Sequence, residues 1–429
     1  MDQPFDRIRP MFLDVIGNAR SKYLPIERAG HGTKHCITLF SQQFDKTMTA
    51  GAPGSQFFEG MPDFESRFDV ADARPGWDDG VGVVCADLHF RGELLPHGPR
   101  TVLRRAIEAW QAIGLEPMVG IELEAYIMEP NGQGGWKVIE TPGAMTYAVG
   151  PAVDPHGLLD AVMAQARQCG FRLESVNSEY DAGQFEFTLA YDQAMAAVDE
   201  TFLFKQMAME VAAKMGLKLT FIGKPSAALS GSGLHVNFSA LDASGANAFN
   251  HEGGDHGLAD VALHSIGGLL GHHEALTAIC APTVNAYKRL RPGQLAGVWA
   301  NWGIDHRSVT VRVPAERDAA TRIEYRLPDG AANPYLAVAA VLRAAMLGIQ
   351  GAVVPPPVET GDALETASTD RLTPPNLAAA LDALEADTQF CQAIGQNLVD
   401  NFLAVKRDEW AKFATAVTDW ELNYYLPYL

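Results

Sequence analysis

The 429-residue chain is poor in basic charge: 33 Lys and Arg stand against 52 Asp and Glu, a formal net charge of −19. That deficit excludes a protein built on broad electrostatic contact with nucleic acid or an anionic membrane. Cysteine is scarce too. Cys36, Cys85, Cys169, Cys280 and Cys391 lie far apart, odd in number and without a CxxC pair. A disulfide framework and a thiolate zinc site are therefore not expected; the thiols should be reduced and mostly core filler. Long apolar runs are missing. The most apolar late stretch, Ala337 to Val354, is broken by Arg343, Gly348 and Gln350 and is too short to span a bilayer. The opening MDQPFDRIRP carries acids and prolines without a continuous apolar stretch, which argues against a signal peptide and for a cytoplasmic protein. Repeats and low-complexity tracts are absent as well.

What the chain does have is ample apolar material: 47% hydrophobic residues against 20% charged, enough for a folded core. Proline and glycine at Leu95-Pro96-His97-Gly98-Pro99 separate a strand-like run, Val81 to Leu88, from a helix predicted over Thr101 to Ile113 and stopped by Gly114. Further helices are predicted after Asp154-Pro155 as far as Gly170, over Met195 to Met215, and from an Asn333 N-cap with Pro334 in the first turn to Gly348. Val353 to Pro375 reads as a surface loop, and helices over Leu377 to Trp420 close the chain. The plan is a small N-terminal domain, residues 1–95, before a large mixed helix-and-strand catalytic body, residues 96–429.

The informative segments alternate with period two. Over Gly120 to Ile127, Ile121, Leu123 and Ile127 share one face while Glu122, Glu124 and Tyr126 share the other. Gln184 to Thr188 turns Glu186 away from its phenylalanines, and Leu234 to Ser239 puts His235, Asn237 and Ser239 together. Ser308 to Val313 sets Arg312 opposite its valines, and Arg322, Glu324 and Arg326 alternate with Ile323 and Tyr325. Taken singly, each is what the solvated face of an antiparallel strand carries. Taken together, the polar faces hold mainly Glu, Arg and His. Arginine suits carboxylates and phosphates, and clustered glutamates with a histidine suit hard divalent cations. Converging carboxylates need a cation to neutralise them, which points to metal-assisted handling of a phosphate substrate. No GxxxxGK[ST] loop is present, so a nucleotide would not sit on a P-loop.

Some signals are bland. His251-Glu252-Gly253-Gly254-Asp255-His256 has histidines five apart and helix-breaking glycines, unlike HExxH. His272-His273-Glu274 reads as a helix end, and the methionines of Met195 to Met215 as core.

The segment Gly120-Ile-Glu-Leu-Glu124, Glu179 with Ala182-Gly-Gln-Phe-Glu186, Gly231-Ser-Gly-Leu-His235, Asn285-Ala-Tyr-Lys-Arg-Leu290 and Arg322-Ile-Glu-Tyr-Arg-Leu-Pro-Asp329 followed by Ala332-Asn-Pro-Tyr335 together resemble the glutamine synthetase family, in order, from about Val84 to the C-terminus. The resemblance implies an α+β fold: a small β-grasp-like N-terminal domain and a large catalytic domain with a curved antiparallel sheet. It implies two Mg²⁺ or Mn²⁺ ions per site, one on Glu124, Glu179 and Glu186, the other on Glu122, His235 and Glu324. Arg289 would clamp the α-carboxylate of glutamate, with Ser230 and Gly231 beside it. Arg307, Arg312 and Arg326 would neutralise the transferring phosphate, and Tyr191, Ser239 and Arg322 would contact ATP. The implied chemistry is attack of the glutamate γ-carboxylate on ATP, then displacement of phosphate by an amine. It also implies homo-oligomeric rings, hexameric or stacked as a dodecamer, with sites completed by the adjacent subunit.

The chain departs from that family where the amine enters. Ammonia-using members carry a PGYEAP flap after the lysine–arginine–leucine segment. Here Pro292-Gly-Gln-Leu-Ala-Gly297 puts Leu295 at the glutamate position, and Gly51-Ala-Pro-Gly-Ser-Gln-Phe-Phe58 offers no match for the N-terminal loop aspartate. An ammonium ion without carboxylates is costly to desolvate. The expected substrate is therefore an organic amine, hydrophobic or aromatic, with Phe57, Phe58, Trp299 and Trp302 as candidate pocket walls or core. The alternatives are a true glutamine synthetase with a divergent flap, and a catalytically silent relative.

Overall fold

The alternation predicted over Gly120 to Ile127 lies in the middle of a 15-residue strand, Glu116–Pro130. Its apolar side chains Ile121, Leu123, Ala125 and Ile127 are all buried, beneath the helices Pro99–Gln111 and Ala194–Lys214. In this computed structural model, which describes residues 5–429, that strand is the spine of a ten-stranded sheet. The sheet runs Leu173–Ser178, Gln184–Leu189, Glu116–Pro130, Leu234–Leu241, Ile323–Tyr325, Val311–Val313, Trp302–Ile304, with three short strands beside the spine. Every pairing along that order is antiparallel except the last. The register is what matters chemically. Glu122 faces His235, Glu124 faces Glu186, and Glu324 lies between Asn237 and Arg312.

Two smaller sheets precede the helix Pro99–Gln111, and no α-helix occurs before it among the described residues. The run predicted as one strand, Val81 to Leu88, is two. Val81–Cys85 pairs parallel with Arg7–Leu13, while Asp87–Phe90 joins the other small sheet, the chain turning at buried Ala86. The apolar core is continuous from these sheets into the helices of the larger part. Polar ties cross as well: Asn401 accepts from Gly54 N at 2.9 Å and donates to Phe40 O at 3.0 Å, and Arg9 pairs with Glu210 at 2.6 Å. All five thiols are free, and Cys169, Cys280 and Cys391 are core residues as expected. Among the described residues no helix is long and apolar enough to cross a membrane. Of the opening segment, residues 1–4 lie outside the described residues.

Helix Pro334–Gln350 is capped by Asn333, whose side chain accepts from Tyr335 N and Leu336 N. It runs past Gly348, the predicted stop, to Gly351. Gly348 is a packing glycine: a Cβ there would come within 2.0 Å of His264 O and 2.5 Å of Gly268 N on the crossing helix Asp260–Gly271. His272 breaks that helix from His273–Cys280. The loop after Gly351 is not merely surface. Glu359 N donates to Trp302 O at 2.8 Å, Ala300 N to Arg371 O at 3.0 Å, and Thr373 N to Val298 O at 2.9 Å. The loop is thus sewn along the segment between Val298 and Trp302.

Candidate active site

The strand register concentrates carboxylates on one face of the sheet. His235, buried on Leu234–Leu241, has Nδ1 3.2 Å from Glu122 and 3.7 Å from Glu324, and Nε2 3.5 Å from Glu124. Ligand atoms of Glu122, His235 and Glu324 lie within 4.8 Å of one another, and so do those of Glu124, Glu186 and His235. The first trio is the expected one. In the second, His235 stands in place of the expected Glu179. Glu179 follows the end of its strand at Ser178 and accepts from Asn177 Nδ2 at 3.1 Å, which holds it on the rim of the same cavity.

Burial and the neighbouring charges of Glu122 and Glu124 push the Glu186 carboxyl up to about 8. Burial, with Glu124 next, raises Glu179 as well. Burial opposes ionisation of Glu122, but its hydrogen bond to His235 holds it below the usual range. Burial and Arg326 disfavour a charged His235, yet Glu122, Glu124 and Glu324 prevail and raise it. Carboxylates this crowded, with one imidazole among them, are the donor set of a hard divalent ion, whose charge would relieve the repulsion.

Guanidinium groups close the other side. Arg326 and Arg312 both bond Glu324, Arg312 Nη1 at 2.9 Å. The Nε atoms of Arg312 and Arg326 are buried without a hydrogen-bond partner among the described residues. Arg289 is buried and donates to the carbonyls of Leu327 at 2.8 Å and Arg326 at 3.2 Å. Room for it comes from glycines: a Cβ at Gly231 would lie 2.5 Å from Arg289 Cγ, and one at Gly233 2.7 Å from Nη2. Arg307, Ser230, Gly231 and Leu295 line this same cavity of about 720 Å³ with the carboxylates.

Tyr191, Ser239 and Arg322 lie elsewhere together. They line a second cavity of about 360 Å³ that has Glu122 in common with the first. Alternation puts Arg322 beside Glu324 and Arg326, but it turns instead to Asn237 Oδ1 at 3.3 Å and into the second cavity. One cavity is rich in carboxylates and guanidinium groups, while the other is lined by Met118, Ile121, Leu189 and Phe238. Glu122 stands at their join.

The family model for the glutamine synthetase catalytic domain matches residues 96–425. The chain belongs to the glutamine synthetase family. It is 33% identical over 436 residues to the glutamine synthetase of Methanocaldococcus jannaschii, covering 98% of this chain and 95% of that one. With the glutamine synthetase of Pyrococcus abyssi it shares 34% identity, over 97% of this chain and 96% of the other. Among solved structures it resembles "Apo GmaS without ligand" with a TM-score of 0.86 and 29% identity, over 98% and 97% of the two chains. The match to "GmaS/ADP complex-Conformation 1" has the same TM-score, 0.86, at 28% identity, over 99% and 98%. The family assignment makes the protein a carbon–nitrogen ligase of the ATP-using kind.

Of the four aromatics expected as pocket walls or core, the two tryptophans pack with the core and none lines the charged cavity within the one chain. Trp302 is buried and donates to Pro356 O at 2.7 Å, Trp299 is bridged to Leu372, and Phe57 packs on Phe58, with 79% of Phe58 exposed. None lines the cavity. The two tryptophans are fixed by the loop after Gly351. The apolar and aromatic side chains actually present are Tyr147, Tyr180, Leu295, Ala296 and Leu364. Tyr147 and Leu364 lie in irregular loops, where no periodicity could announce them. Asp181 carries no sequence signal of its own, and Gln184 enters only as a member of the Ala182–Glu186 segment, yet both shape the site. Asp181 accepts from Ser230 N, and Gln184 Nε2 donates to Gly231 O at 2.9 Å, together fixing the loop above Arg289.

Proposed function

We propose that the protein is an ATP-dependent glutamate–amine ligase that joins the γ-carboxylate of glutamate to an organic, hydrophobic or aromatic amine. The observation that carries this is Leu295, an exposed apolar side chain on the rim of the charged cavity at the flap position where ammonia-using relatives carry an acid. The likeness to the GmaS structures supports a glutamate–amine ligase.

Two divalent ions would be held by Glu122, His235 and Glu324, and by Glu124 and Glu186 with Glu179 at the rim. Bound there, they would supply positive charge to the phosphate oxygens. Arg289 holds the glutamate α-carboxylate through the donors its two carbonyl bonds leave free. Tyr191, Ser239 and Arg322 hold the nucleotide in the second cavity, so the γ-phosphate arrives at the Glu122 join. A γ-carboxylate oxygen attacks the γ-phosphorus and ADP leaves. The amine nitrogen then attacks the acyl carbon, phosphate departs, and the nitrogen loses one proton. Arg307, Arg312 and Arg326 stabilise the charge that gathers on the phosphate oxygens in both steps. A weakly basic amine enters neutral and needs no carboxylate to desolvate it. We further propose homo-oligomeric rings, hexameric or dodecameric, in which the half-buried Phe57 and the exposed Phe58 face a neighbouring subunit, and a functional division at residues 1–95 and 96–429.

An amine panel with ATP, Mg²⁺ and glutamate tests the assignment: organic amines are expected to outpace ammonium, and preference for ammonium over all of them would sink it. The second reading, a true glutamine synthetase with a divergent flap, has in its favour the names borne by the archaeal relatives. On that reading Leu295→Glu leaves ammonium use nearly unchanged.

A further inference from the structure

The flap does not stand alone at the mouth of the cavity. Gly293 N donates to Leu364 O at 2.9 Å, so the loop after Gly351 touches the flap two residues from Leu295. The contact is close: Gly293 has a φ of 82°, and a Cβ there would lie 2.7 Å from Glu365 Oε1. The positive φ favours glycine, and a larger residue would also have to displace the Glu365 carboxylate. Leu364 itself is half-buried and lines the cavity with Leu295 and Ala296.

The loop that carries it is pinned. The carboxylate of Glu359 accepts from Ser368 N at 2.8 Å, Ser368 Oγ at 2.7 Å, Gly361 N at 3.1 Å and Asn301 Nδ2 at 3.3 Å. Those bonds close residues 359–368 into a ring around the acid. Burial works to raise its carboxyl, but the bonds prevail and hold it down at about 2. Leu364 is at the middle of that ring. Backbone pinned on both sides of Leu364, and at its own carbonyl by Gly293, limits how far this wall can yield, and an apolar wall that yields little discriminates by size.

We propose that Leu364 is a specificity-determining residue, which with Leu295 forms the apolar seat for the amine's carbon substituent. This rests on the glutamate–amine ligase assignment and extends it from the flap to a second loop. Elsewhere the cavity offers mostly carboxylates, guanidinium groups and amides, which a hydrocarbon substituent would desolvate without compensation. The two leucines are where such a substituent costs nothing in lost hydrogen bonds. On this proposal the seat discriminates most among substituents larger than methyl.

The test uses the full-length enzyme with ammonium, methylamine and butylamine, comparing wild type with Leu364→Ala and Leu364→Phe. The ratio of kcat/KM for butylamine over methylamine is expected to fall by roughly tenfold in Leu364→Phe and to rise in Leu364→Ala. The KM for glutamate and for ATP should stay near the wild-type values in both, which separates altered selectivity from a damaged fold. Ratios within about twofold of wild type in both variants, with organic amines still preferred, overturn the inference alone. A wild-type enzyme that prefers ammonium over every organic amine overturns the ligase assignment and this inference with it.

Discussion

Arg289 is buried to 3% exposure, and burial lowers the pKa of its guanidinium while Glu124 and Asp329 act to raise it. Its two carbonyl bonds fix the plane of the guanidinium, which is what a carboxylate needs in order to be held by two parallel bonds. Lysine keeps the charge but not the fork. Arg289→Lys is therefore expected to raise the KM for glutamate by roughly tenfold or more, with a smaller change in the KM for ATP, measured by initial-rate kinetics. Leu295 is the complementary case, a residue whose importance lies in the charge it does not carry. Leu295→Glu puts a carboxylate where a cation could be met, and on the ligase assignment it should raise kcat/KM for ammonium relative to organic amines by about tenfold. A ratio that stays at the wild-type value would return the protein to the ordinary glutamine synthetases.

Single elements are held by few groups, and those can be removed one at a time. Asn333 caps helix Pro334–Gln350 and also donates Nδ2 to Asp14 O at 2.9 Å. Asn333→Ala should lower stability by about 1–2 kcal/mol, read as a lower Tm with unchanged substrate selectivity. This cap is legible in the sequence, because Asn-Pro before an apolar run has one strong meaning. The strand faces are legible for a similar reason: period two is set by the pleat itself, so the alternation alone puts Glu122, Glu124, Glu186, His235 and Glu324 on polar faces. Gly348 misleads because glycine marks a helix end and a helix crossing equally well, and only the partner helix distinguishes them. Arg322 shares its alternation with Glu324 and Arg326 but not their cavity, since period two gives the face and not the neighbours. Leu364 and Tyr147 are out of reach altogether. Their positions depend on tertiary hydrogen bonds such as those around Glu359, which leave no periodic trace.

Across the whole molecule the acids and imidazoles set the response to solvent. His97 and His273 are buried, and burial pulls each imidazole down to about 4 from 6.5. Both are neutral in the folded state, whereas the unfolded chain takes up protons below 6.5. The stability these two histidines contribute is thus complete above that value and is lost as pH falls from 6.5 towards 4. Urea denaturation at pH 7 and pH 5 should show a loss on the order of 2 kcal/mol for each histidine; replacing His273 with an apolar residue of similar size should remove its share of the pH dependence. Divalent ions should act in the other direction on the crowded carboxylates. Adding Mg²⁺ or Mn²⁺ to chelated protein is expected to raise Tm and restore turnover, and Glu186→Gln to weaken both effects.

The ten-stranded sheet, finally, separates what is fixed from what can change. The side chains assigned to phosphate and to cations are mostly locked in strand register, where a shift of one residue would turn them all to the opposite face. Leu295 and Leu364 sit on loops outside that register, where a changed side chain turns no strand over. Selection could therefore replace the incoming nucleophile by altering two loop positions while the older phosphate chemistry is inherited unchanged, and a library randomised at only those two sites should yield enzymes for new amines far more often than one randomised along the strands.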